Sequence, residues 1–358
     1  MHRCLDLAKQ GAGQVAPNPM VGAVLVHNDR IIGEGWHQRY GAAHAEVNCI
    51  DSVKPEDREL ISRSVLYVSL EPCAHHGKTP PCSDLIIKHK IHKVVIGCRD
   101  PFGKVNGKGI EKLKAAGVEV VGPVLEDESK ELNKRFFTFH RERRPYVILK
   151  WAQTSDGFIG THTPPLEGRG EARLLISNAY TNRLVHKWRS EEASILAGTN
   201  TAWEDDPQLD NRLWTGASPI RMVIDRQLRL PSELKLFDGQ HPTILFNEVK
   251  HSIPGESDAF TLKKQGGNGY YKINSSGDQL KQIMNALYQL NIQSVLVEGG
   301  AALLGSFINA GLWDEIRIIN NEDMKTGQGL RVHMPEKAVL ADSFKINTDR
   351  IETWLPAE

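Results

Sequence analysis

The sequence predicts an α/β protein with two domains, and three observations carry this prediction. Runs of branched apolar residues alternate with amphipathic segments along most of the chain, which is typical of strands and helices packed in layers. The chain has 358 residues, and domains typically contain about 100–200 residues. A charge run ending in proline, Arg141–Pro145, separates two such alternating sets. We therefore expect domains at residues 1–143 and 144–358.

The first set predicts a hairpin followed by strand–helix pairs. Residues 21–27 and 31–36 have the apolar character of strands, and Asn28, Asp29 and Arg30 between them favour a turn. A helix is expected to begin near His44. Further strands are expected at 65–70, 93–97 and 118–121, and further helices at 83–90, 108–116 and 126–140.

The second set repeats the alternation after the boundary. Strands are expected at 146–151, 194–198, 220–225, 243–247, 294–298 and 315–320, and helices at 178–189, 278–290 and 301–310. The polar, Gly/Ser-rich segment 248–277 is expected to be mostly loop. The weakly patterned segment after residue 320 allows one more strand pair.

Charge and composition exclude several classes of protein. The 44 Lys and Arg residues balance the 44 Asp and Glu residues, which argues against a strongly basic nucleic-acid binder. No apolar run is long enough to predict a membrane span. Five cysteines are sparse and odd in number, so a reducing cytoplasm is a better fit than a disulfide framework.

The informative residues of the first half are His44, Glu46, Cys73 and Cys82. Zinc prefers His nitrogen and Cys sulfur, and a catalytic zinc site uses three protein ligands plus water. Such a site needs a carboxylate that is not a ligand to carry the proton of the water to a leaving amine, and Glu46 fits this role. Spacing alone does not bring His44 and Glu46 together, because on an ideal helix they point about 200° apart.

The H-x-E and P-C elements follow the signature of zinc nucleobase deaminases, although here the two cysteines are nine residues apart. A closed structural zinc site and a metal-free core Cys pair remain alternatives. The loop His75–Thr79 between the cysteines is basic and carries a hydroxyl, which suits a phosphate-bearing substrate; a solvated loop is the alternative.

In the second half, the strand Ser294–Glu298 runs into Gly299-Gly300 and then a predicted helix. Backbone N–H groups at such a helix start can bind a phosphate. A tight strand–helix turn without a ligand is the alternative.

Longer stretches resemble one family. SLEPCAHHGKTPPC, PNPMVGAVLV and GWHQRYGAAHAEV closely resemble the deaminase half of the bifunctional riboflavin-biosynthesis enzymes, and SILAGTNTAWEDDPQLDNR, IRMVID and VLVEGG resemble their reductase half. The resemblance implies a cytidine-deaminase-like three-layer α/β/α domain followed by a dihydrofolate-reductase-like α/β domain. It implies zinc in the first and NADPH in the second. The implied reactions are deamination of a diaminopyrimidine carrying phosphoribose, and then reduction of its ribosyl chain to ribityl.

The resemblance also implies roles for single residues. It makes His44, Cys73 and Cys82 zinc ligands and Glu46 and Asp205 catalytic. Implied contacts with NADPH come from Ala152, Leu175, Thr201, Asp205, Arg226, Gly300, Ala301, Ala302, Leu303, Leu304, Gly305 and Ser306. Implied contacts with the phosphoribosyl substrates come from Asn18, His75, Lys78, Thr79, Arg189, Leu209, Arg212 and Glu298.

The reductase half departs from the family pattern at several positions, two of which concern the cofactor. Leu175 stands at a helix entry where family members carry an aromatic residue, and Arg226 replaces a serine. Arg226 is a candidate contact for the 2′-phosphate of NADPH. Two rival hypotheses remain open: a nucleobase or tRNA deaminase with a non-catalytic second domain, and a metal-bound protein whose reductase half has lost its activity. We expect small-molecule substrates, no nucleic acid, no membrane, and a homo-oligomer, either a dimer or a tetramer.

Overall fold

The computed structural model describes residues 1–76, 80–103, 105–160, 174–253, 261–262 and 267–357. The chain divides into two compact units, Met1–Arg143 and Arg144–Glu358. Within the described residues, every helix is too short or too polar to cross a membrane.

The first unit is a five-stranded sheet with helices on both faces. Its strands are β1 (Gly22–His27), β2 (Arg30–Trp36), β3 (Val65–Leu70), β4 (Lys93–Cys98) and β5 (Glu119–Val121), in the order β2-β1-β3-β4-β5. Its helices are α1 (His2–Lys9), α2 (Ala45–Asp51), α3 (Cys82–Lys88), α4 (Lys108–Ala115), α5 (Glu126–Leu132) and α6 (Lys134–Glu142). A 3₁₀ segment, Pro55–Arg63, precedes β3. Strands β3, β4 and β5 run parallel, and β1 pairs antiparallel with both β2 and β3.

Strand alternation explains the three layers of this unit. Ala23 and Leu25 of β1 pack in one apolar cluster with side chains of α2, α3 and α4. Val24, which points to the opposite face, packs with Cys4 and Leu7 of α1. The sheet is therefore covered by α2, α3 and α4 on one side and by α1 on the other.

The second unit is a nine-stranded sheet. Its strands are β6 (Tyr146–Thr154), β7 (Ser194–Ala197), β8 (Ile220–Ile224), β9 (Thr243–Asn247), β10 (Asn268–Lys272), β11 (Ser294–Glu298), β12 (Glu315–Asn321), β13 (Ala338–Ile346) and β14 (Asp349–Pro356). The order is β10-β9-β8-β7-β11-β6-β12-β14-β13, parallel from β10 to β12 and antiparallel at β14 and β13.

Four described helices cover the two faces of this sheet. They are α7 (Ala179–Glu191), α8 (Thr199–Asp205), α9 (Gln279–Gln289) and α10 (Ala301–Asn309), and a short 3₁₀ turn lies at Lys235–Phe237. Val147 and Leu149 of β6 pack toward α9 and α10, whereas Ile148 packs toward α7 and α8. The predicted α/β class is confirmed in both halves.

One expectation about local structure is wrong. A single helix at 126–140 is in fact two helices, because the chain breaks at Asn133. The Asn133 side chain accepts from Met20 N at 2.8 Å and donates to Met20 O at 2.9 Å, which ties the break to the loop before β1. The described part of the segment 248–277 is mostly loop, as expected, and contains the short strand β10, which pairs with β9 at the edge of the sheet.

Candidate active sites

Three side chains of the first unit converge as a candidate metal centre. The Cys73 Sγ lies 3.6 Å from His44 Nδ1, and the Cys82 Sγ lies 3.3 Å from the same nitrogen. The three atoms lie within 4.8 Å of one another. Ligands of tetrahedral zinc at about 2.0–2.3 Å from the metal stand about 3.5–3.8 Å apart. The two measured separations are close to that spacing, so these residues fit a zinc ion.

Each candidate ligand sits at the end of a regular element. His44 is the N-cap of α2 and has extended backbone, with φ −73° and ψ 167°. Cys73 follows strand β3, and Cys82 is the first residue of α3. The backbone N–H of Cys82 donates to Cys73 Sγ at 3.3 Å. The start of α3 thus presents positive partial charge to a sulfur, which favours a thiolate.

Glu46 is buried beside these three residues, with 3% exposure. Its carboxyl group interacts with the Cys82 thiol, and burial raises its pKa. The angle of about 200° between His44 and Glu46 on an ideal helix does not apply here. His44 lies outside the helix with extended backbone, and only Glu46 has helical backbone. Glu46 can therefore serve as a proton carrier next to the metal ligands.

The two cysteines differ in acidity. The hydrogen bond with Cys82 lowers the pKa of Cys73 well below its ordinary value, against the opposing effect of burial. The same hydrogen bond and burial raise the pKa of Cys82. A thiolate at Cys73 is therefore available at neutral pH, as metal binding requires.

Glu71 supports the segment that carries Cys73, a role that sequence reasoning missed. It is buried, and its Oε1 accepts from the backbone N–H groups of Gly109 and Ile110, at 3.0 and 3.3 Å. Its Oε2 accepts from Asp100 N at 3.3 Å and Gly107 N at 3.0 Å. The sequence signal for this role is a glutamate directly after an apolar strand, because a buried carboxylate needs hydrogen-bond donors around it.

Asn18, an implied contact with the base, belongs to a small network near the metal ligands. Its Nδ2 lies 3.1 Å from His37 Nε2, and His37 Nδ1 lies 3.0 Å from Ala43 O. The His37 ring packs edge-on against His44 at 5.4 Å between centroids. His37 is buried and was not singled out from the sequence.

The implied phosphate loop is only partly described. His75 lies with its ring 5.9 Å from that of Phe102, edge to face. Lys78 and Thr79 lie outside the described residues, as does Gly77. Asp100, in the neighbouring loop, is buried, and burial raises its pKa to about 7.

In the second unit, the carboxyl ends of adjacent parallel strands meet where a nucleotide is expected. Strands β7, β11 and β6 are neighbours in register, so Gly198, Gly299 and Ala152 belong to one edge of the sheet. The Gly300 N–H donates to Thr201 Oγ1 at 2.9 Å. A Cβ on Gly300 would stand 3.3 Å from that oxygen. Helix α10 starts at this point with no side-chain cap, so its first amides fit a phosphate of NADPH.

The residues Ala301–Ser306 form the body of α10, as the sequence predicts. Arg226 follows β8 and is exposed. Leu175 is 70% exposed, on the stretch that leads to α7. Asp205 is the last residue of α8. The structure thus places Thr201 against Gly300; in the part of the chain that it describes, neither Leu175 nor Arg226 has a side-chain hydrogen bond to them.

A buried charge cluster lies beside this edge. The guanidinium of Arg189 donates to both oxygens of Glu298, at 3.0 and 2.8 Å. Lys150 Nζ, which sequence reasoning missed, stands 3.8 Å from the same carboxylate. Burial opposes ionisation of Glu298, but the charges of Arg189 and Lys150 prevail and lower its pKa to about 2. Glu298 is therefore a carboxylate throughout the physiological range.

Leu209 and Arg212 lie on the loop after α8. Leu209 is buried and has φ 49°, whereas Arg212 is exposed and pairs with Asp210. His186 of α7, also missed from the sequence, contacts this loop through Arg212 N.

Known proteins match both halves of the chain. Residues 1–98 match the family model described as the cytidine and deoxycytidylate deaminase zinc-binding region, and residues 145–321 match the RibD C-terminal domain. The riboflavin biosynthesis protein RibD of Aquifex aeolicus is 36% identical over 354 residues, covering 98% of this chain and 94% of the relative. The chain belongs to the RibD family.

Other RibD proteins agree with this assignment. RibD of Bacillus amyloliquefaciens is 38% identical over 319 residues, which cover 88% of this chain and 82% of the relative. A crystal structure from Thermotoga maritima, a diaminohydroxyphosphoribosylaminopyrimidine deaminase/5-amino-6-(5-phosphoribosylamino)uracil reductase, has TM-score 0.84 and 35% identity, and covers 100% of this chain and 97% of that one. An Acinetobacter baumannii RibD structure has TM-score 0.85 and 30% identity, and covers 99% and 97%.

RibD membership confirms the resemblance seen in the sequence. The chain is a bifunctional enzyme of riboflavin biosynthesis, with a zinc-dependent deaminase and an NADPH-dependent reductase. It acts on small phosphoribosyl pyrimidine substrates. The rival hypothesis of a nucleobase or tRNA deaminase with a non-catalytic second domain is not supported.

Proposed function

We propose that residues 1–143 catalyse the deamination and residues 144–358 the reduction, each at the site described above. The observation that carries the first assignment is the approach of Cys73 and Cys82 to His44 Nδ1, with the buried carboxyl of Glu46 beside them. The charge cluster around Glu298 and the uncapped start of α10 support the second.

In the deaminase, His44, Cys73 and Cys82 hold the zinc, which supplies a Lewis acid that makes water nucleophilic near neutral pH. Glu46 takes a proton from the attacking water and delivers it to the departing amine. Water adds its oxygen to the ring carbon, the C–N bond breaks, and ammonia leaves with that proton. Burial of Glu46 suits this task because a raised pKa lets the carboxyl group hold a proton during part of the cycle.

On the same side, Asn18 contacts the pyrimidine and His75, Lys78 and Thr79 contact the phosphoribosyl group. The fixed hydrogen bond to His37 supports the role of Asn18, since a held amide presents one defined face to a base.

When bound in the reductase, NADPH would supply the hydride that reduces the ring-opened ribose to ribityl. Gly300 and the residues through Ser306 hold its phosphates at the start of α10, with Ala152, Leu175, Thr201 and Arg226 around the rest of the cofactor. The hydroxyl of Thr201 anchors Gly300 and so fixes the direction of the first amides of the helix. Asp205, near the reacting ribose, is the proposed acid–base group that supplies the proton which the reduction consumes.

The substrate of the reductase lies against Arg189, Leu209, Arg212 and Glu298. Arg189 is bound to Glu298 through two hydrogen bonds, so its main task is to hold that carboxylate toward the ribose. Arg212 is exposed and is the better candidate for the substrate phosphate.

We also propose a cytoplasmic homo-oligomer, a dimer or a tetramer, that does not bind nucleic acid. The equal numbers of basic and acidic residues support the last point. Strand β13 at the end of the sheet exposes Val339, Leu340 and Phe344, at 54%, 44% and 42%. An apolar edge of this kind is commonly covered by another chain.

A coupled assay tests the proposed function. The zinc-loaded chain is given the diaminopyrimidine phosphoribosyl substrate with NADPH, and ammonia release and NADPH oxidation are followed together. We expect ammonia first and NADPH oxidation only after it, with a ribityl product. Ammonia release without any NADPH oxidation would contradict the reductase assignment.

A further inference from the structure

Among the described residues, the loop that carries Leu209 and Arg212 is held to helix α7 by two hydrogen bonds, and Lys187 Nζ of α7 also lies 5.8 Å from the centre of the Trp214 ring. The Nη1 group of Arg189 donates to the carbonyl of Asp210 at 3.1 Å. The backbone N–H of Arg212 donates to Nδ1 of His186 at 3.1 Å. Both helix residues lie on α7, three positions apart and therefore on one face.

The other hydrogen bonds of the loop run within it or to segments other than α7: Arg221 Nη1 donates to the carbonyl of Gln208 at 3.5 Å, and Ser218 Oγ lies 3.3 Å from His241 Nε2. The Asn211 N–H donates to Ser218 Oγ at 3.1 Å, and the Asn211 side chain donates to Gly216 O at 3.1 Å. These bonds give the loop a shape but do not fix its position on α7. The buried Leu209 has left-handed backbone, with φ 49°, a conformation that a branched residue keeps only where its surroundings hold it.

The hydrogen bond defines the protonation state of His186. Only an unprotonated ring nitrogen can accept a hydrogen bond from a backbone N–H. In the neutral ring, Nδ1 therefore carries no proton and Nε2 carries one. His186 is 4% exposed. Burial, together with the charges of Arg189 and Arg212 and against those of Asp210 and Glu298, lowers its pKa to about 4. The acceptor at Nδ1 is therefore present throughout the neutral range.

We propose that His186 is a positioning residue of the reductase, which fixes Leu209 and Arg212 against the substrate by accepting the N–H of Arg212. The inference rests on the proposed function, which gives those two residues their contacts with the phosphoribosyl substrate. His186 itself does not touch the reacting atoms. Its loss should weaken substrate binding and leave the hydride step nearly intact.

Three substitutions separate this role from simple packing. His186→Asn keeps an acceptor near the position of Nδ1, His186→Gln places its acceptor nearer the position of Nε2, and His186→Leu keeps bulk but has no acceptor. Each variant is tested as the full chain with 5-amino-6-(5-phosphoribosylamino)uracil and NADPH. The dissociation constant for NADPH, measured by fluorescence, checks that the second unit is folded.

We expect His186→Leu to raise KM for the uracil substrate about 3- to 10-fold, the size that one lost hydrogen bond gives. The kcat should change less than about 2-fold, because His186 does not touch the reacting atoms and the catalytic groups stay in place. His186→Asn should stay close to wild type, and His186→Gln should resemble His186→Leu. Hydrogen exchange at the Arg212 amide should rise in the Leu and Gln variants only, and this readout needs no substrate.

Several results would overturn the proposal. They are a KM in His186→Leu equal to that of wild type, a KM in His186→Asn as high as in His186→Leu, or unchanged exchange at the Arg212 amide. If His186→Leu is unfolded and fails to bind NADPH, the Asn and Gln variants test the proposal instead. Equal KM values for those two variants would then refute it. Failure of the proposed function is a different outcome: wild-type protein would then not oxidise NADPH with this substrate, while the exchange result would still stand.

Discussion

Replacing Glu71 with Gln should destabilise the deaminase unit strongly without touching a zinc ligand. The two carboxylate oxygens of Glu71 accept four backbone N–H groups, two each. An amide keeps one oxygen and sets an NH₂ donor against the other pair, so two buried N–H groups lose their acceptor. Each such loss costs about 1–3 kcal/mol, so the free energy of unfolding should fall by about 2–6 kcal/mol.

The assay is urea unfolding of the zinc-loaded chain, followed by zinc release to a chromophoric chelator. At an m-value of about 2 kcal/mol/M, the midpoint for zinc release should move down by about 1–3 M. Glu59→Gln is the matched control, because Glu59 is exposed on the same unit and should leave the midpoint unchanged. If Glu71→Gln has the same midpoint as that control, the argument that Glu71 supports the Cys73 segment is wrong.

Three further predictions follow from the sites. Cys73→Ser combined with Cys82→Ser should abolish binding of about one zinc per chain, measured by elemental analysis, and undiminished zinc would refute the ligand set. Arg226→Ser should reduce the preference for NADPH over NADH in kcat/KM, and an unchanged ratio would show that Arg226 does not contact the 2′-phosphate. Burial lowers the pKa of His186 from its ordinary 6.5 to about 4 in the folded chain. The neutral, buried imidazole therefore contributes fully to the stability of the second unit above pH 6.5, and this contribution is lost as the pH falls toward 4. The urea midpoint of His186→Asn should therefore fall less over this window than that of wild type, and parallel curves would contradict the buried neutral imidazole.

Much of the fold follows from local pattern. Strands β3, β9 and β11 have the predicted bounds, since each is a short apolar run between polar residues. The predicted turn at Asn28 and Asp29 has positive φ at both positions, 44° and 61°, as a tight hairpin requires. Residue types also singled out His44, Cys73 and Cys82, whose ligand atoms the structure brings within 4.8 Å of one another.

The errors arise where a distant partner overrides the local pattern. Asn133 lies inside a good helical sequence, but its side chain bonds to Met20, 113 residues away, and the helix breaks there. Strand β10, in a segment expected to be mostly loop, is weakly apolar and pairs with β9 at the edge of the sheet. The approach of Glu46 to the metal ligands depends on the extended backbone of His44. A helical wheel cannot predict this approach, because it assumes helical backbone at both residues.

The charge cluster of the reductase shows the same limit. The sequence favours Arg189 as a phosphate ligand, because arginine suits phosphate. It does not show that Glu298, 109 residues further along the chain, takes two of the hydrogen bonds of its guanidinium. Nor does it show Lys150 near the same carboxylate. Pairing between strand ends that are distant in sequence depends on sheet order, which no local pattern contains.

The central claim is that two separate sites, one in each unit, carry the two reactions, and a pair of isosteric variants tests it most directly. Glu46→Gln and Asp205→Asn are each given the diaminopyrimidine substrate and, separately, the pre-deaminated uracil substrate, while ammonia release and NADPH absorbance are followed. Loss of a positioned acid–base group typically costs about 10²–10⁴-fold in rate. Glu46→Gln should therefore lose deamination by about that factor and oxidise NADPH with the uracil substrate at the wild-type rate. Asp205→Asn should release ammonia normally and accumulate the unreduced uracil product. If folded Glu46→Gln fails to reduce the pre-deaminated substrate, the two-site account is contradicted.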